Sequence, residues 1–542
     1  MLTLINKYSI ILVLVLALFI RGYHLNSYPA LNPDEAAIGY NAYSLLLTGK
    51  DEHGASWPLH FKSFGDFKPG GYFYLVLPFV KLIGLTPLAV RLPNLILSIL
   101  AIYFFYKLIF LLSNSKPLSL LCSFTLTLSP WHIHFSRGGW ESSAAFSFIV
   151  IGTYFFYKFI NSKNSFHFLL FTFNFILSLY IYHSARIIAP LLVLSLFIIY
   201  HSSIYSLRSK IFFPILFSVL ITIPVLFSFF QTGGSTRFSG VGLTADQGPI
   251  WRANELLNQH GNVKLTNRII HNKRLLYLIS WAQKYTSHFD LNFLFINGDE
   301  VPRSKVPDMG QLYLIELPFL LLGLLFFIKS TVYDLRSKIF ILSWLFISPL
   351  ASSLTFQAPS ALRALPMVIP LSILTALGIY QFLLITKKFS SSLLVIRNLT
   401  LVIVFSYSLS YYLDSYFIHY QKRFFTSWNY GFSELIPFIE SQKHNYQNIY
   451  ITDKYDQPYI LYLFYSKYTP QKIQSQIRLT PPDNFGFSTV RQIDNIHFEK
   501  IDYNSIPVNS LIIASDENMS NLTPIKTIDF LSLSPAFKIY IK

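Results

Sequence analysis

Long apolar runs recur along this chain, and they decide what it can fold into. The first, Tyr8 to Ile20, is bounded by Lys7 and Arg21; others lie near 90–111, 117–133, 143–160, 166–182, 186–203, 211–230, 312–328, 337–353, 364–386 and 393–413. A helix needs roughly 20 mostly apolar residues to cross hydrocarbon, so the pattern predicts a polytopic α-helical membrane protein with about eleven transmembrane helices. Only 13% of the 542 residues are charged, roughly half of what a soluble domain carries. No small-residue cleavage site follows the first run, which predicts a retained helix rather than a removed leader.

The charges between the runs set an orientation. There are 43 basic and 26 acidic residues, a net charge of +17. In a soluble protein that excess points to nucleic acid. Here it falls in short loops: Lys107 and Lys116; Lys158 and Lys163; Arg208 and Lys210; Lys329, Arg336 and Lys338; Lys387, Lys388 and Arg397. With the amino terminus in the cytoplasm all of these lie inside, as the positive-inside rule asks. The parity holds only if Gly71 to Gly84 does not cross. That stretch is short and carries Pro78 and Lys81, and it is expected to lie as a helix at the outer interface. The expected location is the plasma membrane, multi-pass, with the site and the carboxy-terminal domain outside.

Two domains follow. Residues 1–413 form the transmembrane domain with outer loops 22–89 and 231–311, and 414–542 form a small extracytoplasmic α/β domain. The latter is polar, with strand-like runs at Asn448 to Thr452, Leu511 to Ser515 and Phe537 to Ile541, and a helix-like run at Pro458 to Tyr468. The single cysteine, Cys122, excludes an intrachain disulfide and a CxxC metal site.

The charges that break the positive-inside trend need a reason. Asp34 and Glu35 stand in LNPDEAAIGYNAY, just beyond the first span, where Asp34 is expected to cap a helix and Glu35 to lie in its first turn. Lys68 in GDFKPGGYF, Arg137 in SPWHIHFSRGGWE, Arg186 in YIYHSARIIAP and Arg363 in QAPSALRALP sit at outer helix ends. Cations there suit an anionic lipid head group, since Arg and Lys pair with phosphate by charge-assisted hydrogen bonds. They equally suit ordinary snorkelling to lipid phosphates. Beside a fixed carboxylate, however, they allow a group transfer. The carboxylate takes a proton from an attacking hydroxyl, and the cations stabilise the departing phosphate.

At this point the residues resemble a known family. PDEAAIGYNAYSLLLTGKDEHG, FKPGGYFY and AVRLPNLI, with the later SRGGWE, YHSAR, HFDLNFLFINGDE and APSALRALP, look like the GT-C membrane glycosyltransferases. They are closest to the dolichyl-phosphate-mannose protein mannosyltransferase-like group and its lipid A aminoarabinose transferase relatives. The resemblance covers residues 1–430. It implies an inverting transfer of a sugar from a polyprenyl-phosphate donor to a hydroxyl acceptor, in a glycan, a lipid or a protein, at the outer face. By position Asp34 is then the catalytic base with Glu35 its neighbour. Lys68, Arg137, Arg186 and Arg363 face the donor phosphate. Glu141, His183, His288, Asp299 and Arg303 are candidates to line the substrate cleft. The large luminal insert of eukaryotic protein mannosyltransferases has no room here, which weakens the case for a protein acceptor.

Other features carry less. GGSTRFSG (Gly233 to Gly240) lacks P-loop context and reads as a flexible loop. His132 and His134, two apart, do not share a helix face; with His53 and His183 they raise a metal question, but no HExxH occurs. No cofactor or metal is expected to be required, although a divalent ion beside Asp34 and Glu35 is compatible with the residues. Asn518 and Asn521 begin short N-glycosylation patterns. A transporter or flippase of lipid-linked sugars is the alternative; it would place its charges at the bilayer midplane, often in repeated, broken helices.

Overall fold

The computed structural model describes residues 2–231, 242–260, 264–483, 486–519, 522–532 and 534–542. The glycine-rich stretch 233–240 lies outside them, as do Ser520 and Asn521 of the two glycosylation patterns. Helices dominate. The first four are α1 (Leu2–Gly22), α2 (Pro33–Thr48), α3 (Gly71–Ile83) and α4 (Pro87–Ser113). A helix lies at each apolar run named above. Among the described residues, six helical segments are long and apolar enough to cross a membrane by length and composition, and five apolar ones are shorter. α3 is among the shorter. Its 13 residues rise about 20 Å, less than the roughly 30 Å of a hydrocarbon core.

The chain divides into two compact units. One comprises Met1–Ile20, Leu97–Phe135 and Ser142–Tyr412. Its tightest helix pair joins Glu316–Lys329 to Val368–Ile385. There Gly323 and Gly378 let the two backbones touch: a Cβ on Gly378 would lie 1.8 Å from the Phe319 carbonyl oxygen, and one on Gly323 would lie 1.9 Å from that of Leu374. Small residues at such a crossing are how apolar helices associate where no hydrophobic force separates them from lipid.

The other unit gathers Arg21–Ile96, Ser136–Glu141 and Leu413–Lys542. The loop after α1 and the carboxy-terminal segment therefore share one body. Its sheet has six strands: β3 (Asn448–Thr452), β4 (Gln492–Ile493), β5 (Ile496–Glu499), β6 (Ser510–Ala514), β7 (Lys526–Asp529) and β8 (Pro535–Ile541), in the order β4-β5-β3-β6-β8-β7. β3 pairs in parallel with β5 and β6, and the remaining pairs are antiparallel. The helix Pro458–Ser466 follows β3, so the strand and helix runs read from the sequence stand where they were expected, within two residues at each end. That helix packs on α2. Tyr40 donates to the Tyr468 carbonyl at 2.9 Å, and the amide of Gln474 reaches the Thr48 hydroxyl at 2.9 Å and the Asp51 carbonyl at 3.0 Å. Gly39 is the point of closest approach, since a Cβ there would meet Phe464 at 2.6 Å and Val90 at 2.8 Å.

Candidate active site

The acidic pair begins α2, but its cap is one the sequence did not single out. Asn32, not Asp34, is the N-cap. Its side chain accepts from the Glu35 N–H at 3.0 Å, and the Glu35 carboxylate accepts from the Asn32 N–H at 3.3 Å. This reciprocal capping box requires a Glu three residues after the cap, and that spacing selects Asn32. Pro33 then occupies the first turn, where its missing N–H costs nothing.

The two carboxylates are thereby sent different ways. Glu35 is buried, 1% exposed. It takes Arg91 Nε at 2.7 Å and Nη2 at 2.8 Å, together with the Gly139 N–H at 2.8 Å. Arg91 is itself fully buried and donates to the Leu25 carbonyl at 3.0 Å. A two-pronged ion pair with every lone pair engaged is a scaffold element. Glu35, expected beside Asp34 in the chemistry, thus holds α2, α4 and the 138–140 turn together.

Asp34 faces outward, its side chain 35% exposed, and pairs with Lys68, whose own side chain is 13% exposed. Lys68 is delivered by a hairpin of β1 (His60–Ser63) and β2 (Asp66–Pro69), in register Phe61↔Lys68. The turn is Phe64-Gly65, with φ of 56° and 84°, and two positive φ values are what a type I′ hairpin needs. The Lys68 ammonium also lies 5.5 Å from the centre of the Phe64 ring. Asp34 stands in the first turn of α2, where the helix dipole favours its charge. The result is a partly open carboxylate and ammonium on two rigid elements.

The other expected residues separate by unit. Arg137 is fully buried in the unit that holds Asp34. Its guanidinium donates to the carbonyls of Arg21 at 2.9 Å and Tyr23 at 2.7 Å, and lies over the Tyr416 and Phe417 rings. It braces the 21–28 segment. Glu141, the last residue of the 136–141 stretch in that unit, is half-buried, and with Glu35 its charge acts on the Tyr72 hydroxyl. In the other unit Arg186 is half-buried with Nε on the Leu179 carbonyl at 3.1 Å, and His183 lies just before its helix.

His288, Asp299 and Arg363 come together around the 352–363 segment of that unit, while Arg303 meets His134. Ser360 N–H reaches His288 Nε2 at 3.3 Å, and Ala361 N–H donates to Asp299 at 2.6 Å. The Arg303 carbonyl lies 2.8 Å from His134 Nε2. Arg363 donates to the Gln357 carbonyl at 3.1 Å. Burial pushes the Asp299 carboxyl up to about 6, against the Val301 and Ala361 N–H groups and the charges of Arg363 and Lys305. Burial also pulls His288 down to about 4, so it is neutral near pH 7. Among the described residues no group of three or more His, Cys, Asp or Glu is placed to hold a metal ion.

Arg91 and Asn32 were missed. Arg91 stood in AVRLPNLI at the edge of an expected span, and a charge there already demands a partner. Nothing in the residue pattern named Glu35 as that partner.

Comparison with solved structures fits this arrangement to a known architecture. ArnT from Cupriavidus metallidurans bound to undecaprenyl phosphate aligns over 99% of this chain and 97% of its own, with a TM-score of 0.52 and 9% identity. The archaeal oligosaccharyltransferase AglB from Archaeoglobus fulgidus, in complex with an inhibitory peptide and a dolichol-phosphate, aligns over 85% of this chain with a TM-score of 0.51 and 12% identity. The fold is GT-C. The chain spans 64% of the length of AglB. At these identities the likeness is one of fold. No family model and no curated protein matches the sequence.

Proposed function

We propose that this chain is an integral-membrane glycosyltransferase that moves a sugar from a polyprenyl-phosphate donor to a hydroxyl acceptor at the outer face of the plasma membrane, with inversion. The observation that carries this is the Asp34–Lys68 pair, a half-open carboxylate beside a cation at a helix start. It lies in a fold shared with structures holding undecaprenyl phosphate and a dolichol-phosphate.

The geometry supports a direct displacement. Lys68 turns from Asp34 to the donor phosphate and holds it as a point charge. Asp34, released, takes the proton of the acceptor hydroxyl as its oxygen bonds to the anomeric carbon. The carbon–phosphate oxygen bond breaks, and polyprenyl phosphate leaves as an anion beside Lys68, so no general acid is needed. Glu35, Arg91 and Arg137 fix the backbone on which the pair stands. Arg186 and Arg363, half-buried in the other unit, are candidates in their own unit to hold a phosphate.

The test is sugar transfer in membranes supplied with a panel of radiolabelled polyprenyl-phosphate sugars. Asp34→Asn, isosteric with the wild type, should lose at least about a hundredfold in rate while still binding undecaprenyl phosphate. Full activity in Asp34→Asn would move the base elsewhere. A wild type that turns over no donor but moves lipid-linked sugar between leaflets would establish the transporter alternative.

A further inference from the structure

Three helices between the 208–231 and 316–329 segments, Gly248–Gln259, Leu265–Ile270 and Lys273–Thr286, have no part in the chemistry described above. The third has two distinct faces. One is turned to the protein: Tyr277 donates to the Asp246 carbonyl at 2.9 Å, and Lys284 pairs with the Asp246 carboxylate at 3.2 Å. The opposite face carries Leu275, Leu278, Ile279 and Ala282, all exposed. They stand at i, i+3, i+4 and i+7, the spacing of an apolar stripe that a helix normally buries. The other two helices add exposed side chains of the same kind: Trp251 at 70%, with Leu265, Ile269 and Ile270. The first helix packs on the third. His260 Nε2 also lies 3.0 Å from His271 Nε2, so the helices form one cluster. Single exposed apolar side chains are ordinary on a protein surface, but a regular stripe marks an interaction face.

Two observations say what covers it. The first is place. Tyr285 donates to the Phe346 carbonyl at 2.8 Å, and the Phe289 and Phe346 rings lie 5.8 Å apart. Phe346, half exposed, stands at the end of the helix Leu335–Ile347, within a segment long and apolar enough to cross a membrane. The striped helix therefore leaves from the rim of a membrane-crossing element. The second is charge. Residues 248–286 hold six cations and one carboxylate, Glu255. Lys284 is taken up by Asp246, while Arg252, Lys264, Arg268, Lys273 and Arg274 are exposed. The cluster joins Arg208–Gln231 to Glu316–Lys329 at the ends away from Arg208, Lys210 and Lys329. The positive-inside trend predicts few cations at that face.

We propose that the 248–286 helices lie on the surface of the bilayer, with the Leu275–Ala282 stripe at the boundary of head groups and acyl chains and the Arg and Lys side chains on anionic lipid head groups. Exposed Trp, Leu and Ile beside Lys and Arg are the composition of interfacial helices, whose binding adds buried apolar area to attraction by anionic lipid. The inference is independent of the sugar-transfer reading.

The test uses the purified full chain with Cys122→Ser and Leu278→Cys, the new thiol carrying a bimane label, in nanodiscs. The discs are made of phosphatidylcholine alone or mixed with phosphatidylglycerol. Both contain the same trace of phosphatidylcholine spin-labelled high on its acyl chain, which quenches bimane on contact. Quenching should be strong in the anionic discs, weak in the neutral ones, and should fall as salt is raised. Replacing Arg268, Lys273 and Arg274 by Gln should lower the ratio of quenched to unquenched label in anionic discs by about fivefold per cation. Equal quenching in both lipids, unmoved by salt and by these replacements, would overturn the proposal. So would a label quenched in neither, which would leave the stripe to a protein partner or a second copy of the chain. Ile279→Cys gives an independent report should the Leu278→Cys protein not fold.

Discussion

At the scale of single residues, the site depends on how two adjacent carboxylates are divided. Asp34 is left partly open beside Lys68, while Glu35 is closed into a buried pair with Arg91. Arg91→Met should therefore be severe: it strands the Glu35 carboxylate without its cation and should cost about 3–5 kcal/mol, measurable as a lowered melting temperature in detergent. A structural role predicts that a partner change, Glu35→Gln with Arg91→Met, recovers part of that loss. Asp299 gives a pH signature of the opposite sense to an ordinary salt-bridged carboxylate. Burial pushes its carboxyl from the ordinary 3.8 up to about 6 in the folded state, so the folded state holds the proton more tightly. Its contribution to stability is then fully present below the unfolded value and is lost as pH rises through about 6. Asp299→Asn should flatten the fall in melting temperature across that interval, and an equal fall in both proteins would remove Asp299 as its cause. The sequence showed that Asp34 and Lys68 were charges in an awkward place, because composition makes any outer charge conspicuous. It did not show the division of labour between Asp34 and Glu35. That depends on Asn32, Arg91 and the Gly139 N–H arriving from three separate segments.

At the scale of elements, periodicity located the apolar helices, but of the eight strands among the described residues it located β3, β6 and β8 alone, because long apolar runs and β-branched alternation are local signals and two- to four-residue strands carry too little of either. The hairpin that carries Lys68 was not foreseen. Its strands are four residues each, and its turn uses Phe64 at positive φ, a residue that gives no turn signal. Contact between helices was equally hidden. Gly323 and Gly378 look like unremarkable glycines in apolar runs until the two backbones are seen against each other. Gly378→Ala should push apart the Glu316–Lys329 and Val368–Ile385 helices, since the neighbour at 1.8 Å is a backbone carbonyl and cannot rotate away. The expected loss is about 1–3 kcal/mol, read as a lower melting temperature of the purified protein. An unchanged value would mean that the crossing opens freely.

At the scale of the whole molecule, the basic loops predict an orientation that labelling can check. In a Cys122→Ser background, Asn445→Cys should react in intact cells with a membrane-impermeant thiol reagent, whereas Asn114→Cys should react only after the membrane is opened. The reverse pattern would invert the chain and put the site on the cytoplasmic face. The packing of α2 on the carboxy-terminal helix has a consequence for biosynthesis. The Tyr40–Tyr468 hydrogen bond joins residues 428 apart, and such distant contacts form late. Until residues 458–476 have been made, α2 lacks the partners that Tyr40 and Thr48 bond, although Arg91 and Gly139 already hold its first turn. The helix that starts beside Asp34 thus gains this support only from a residue translated 428 positions later.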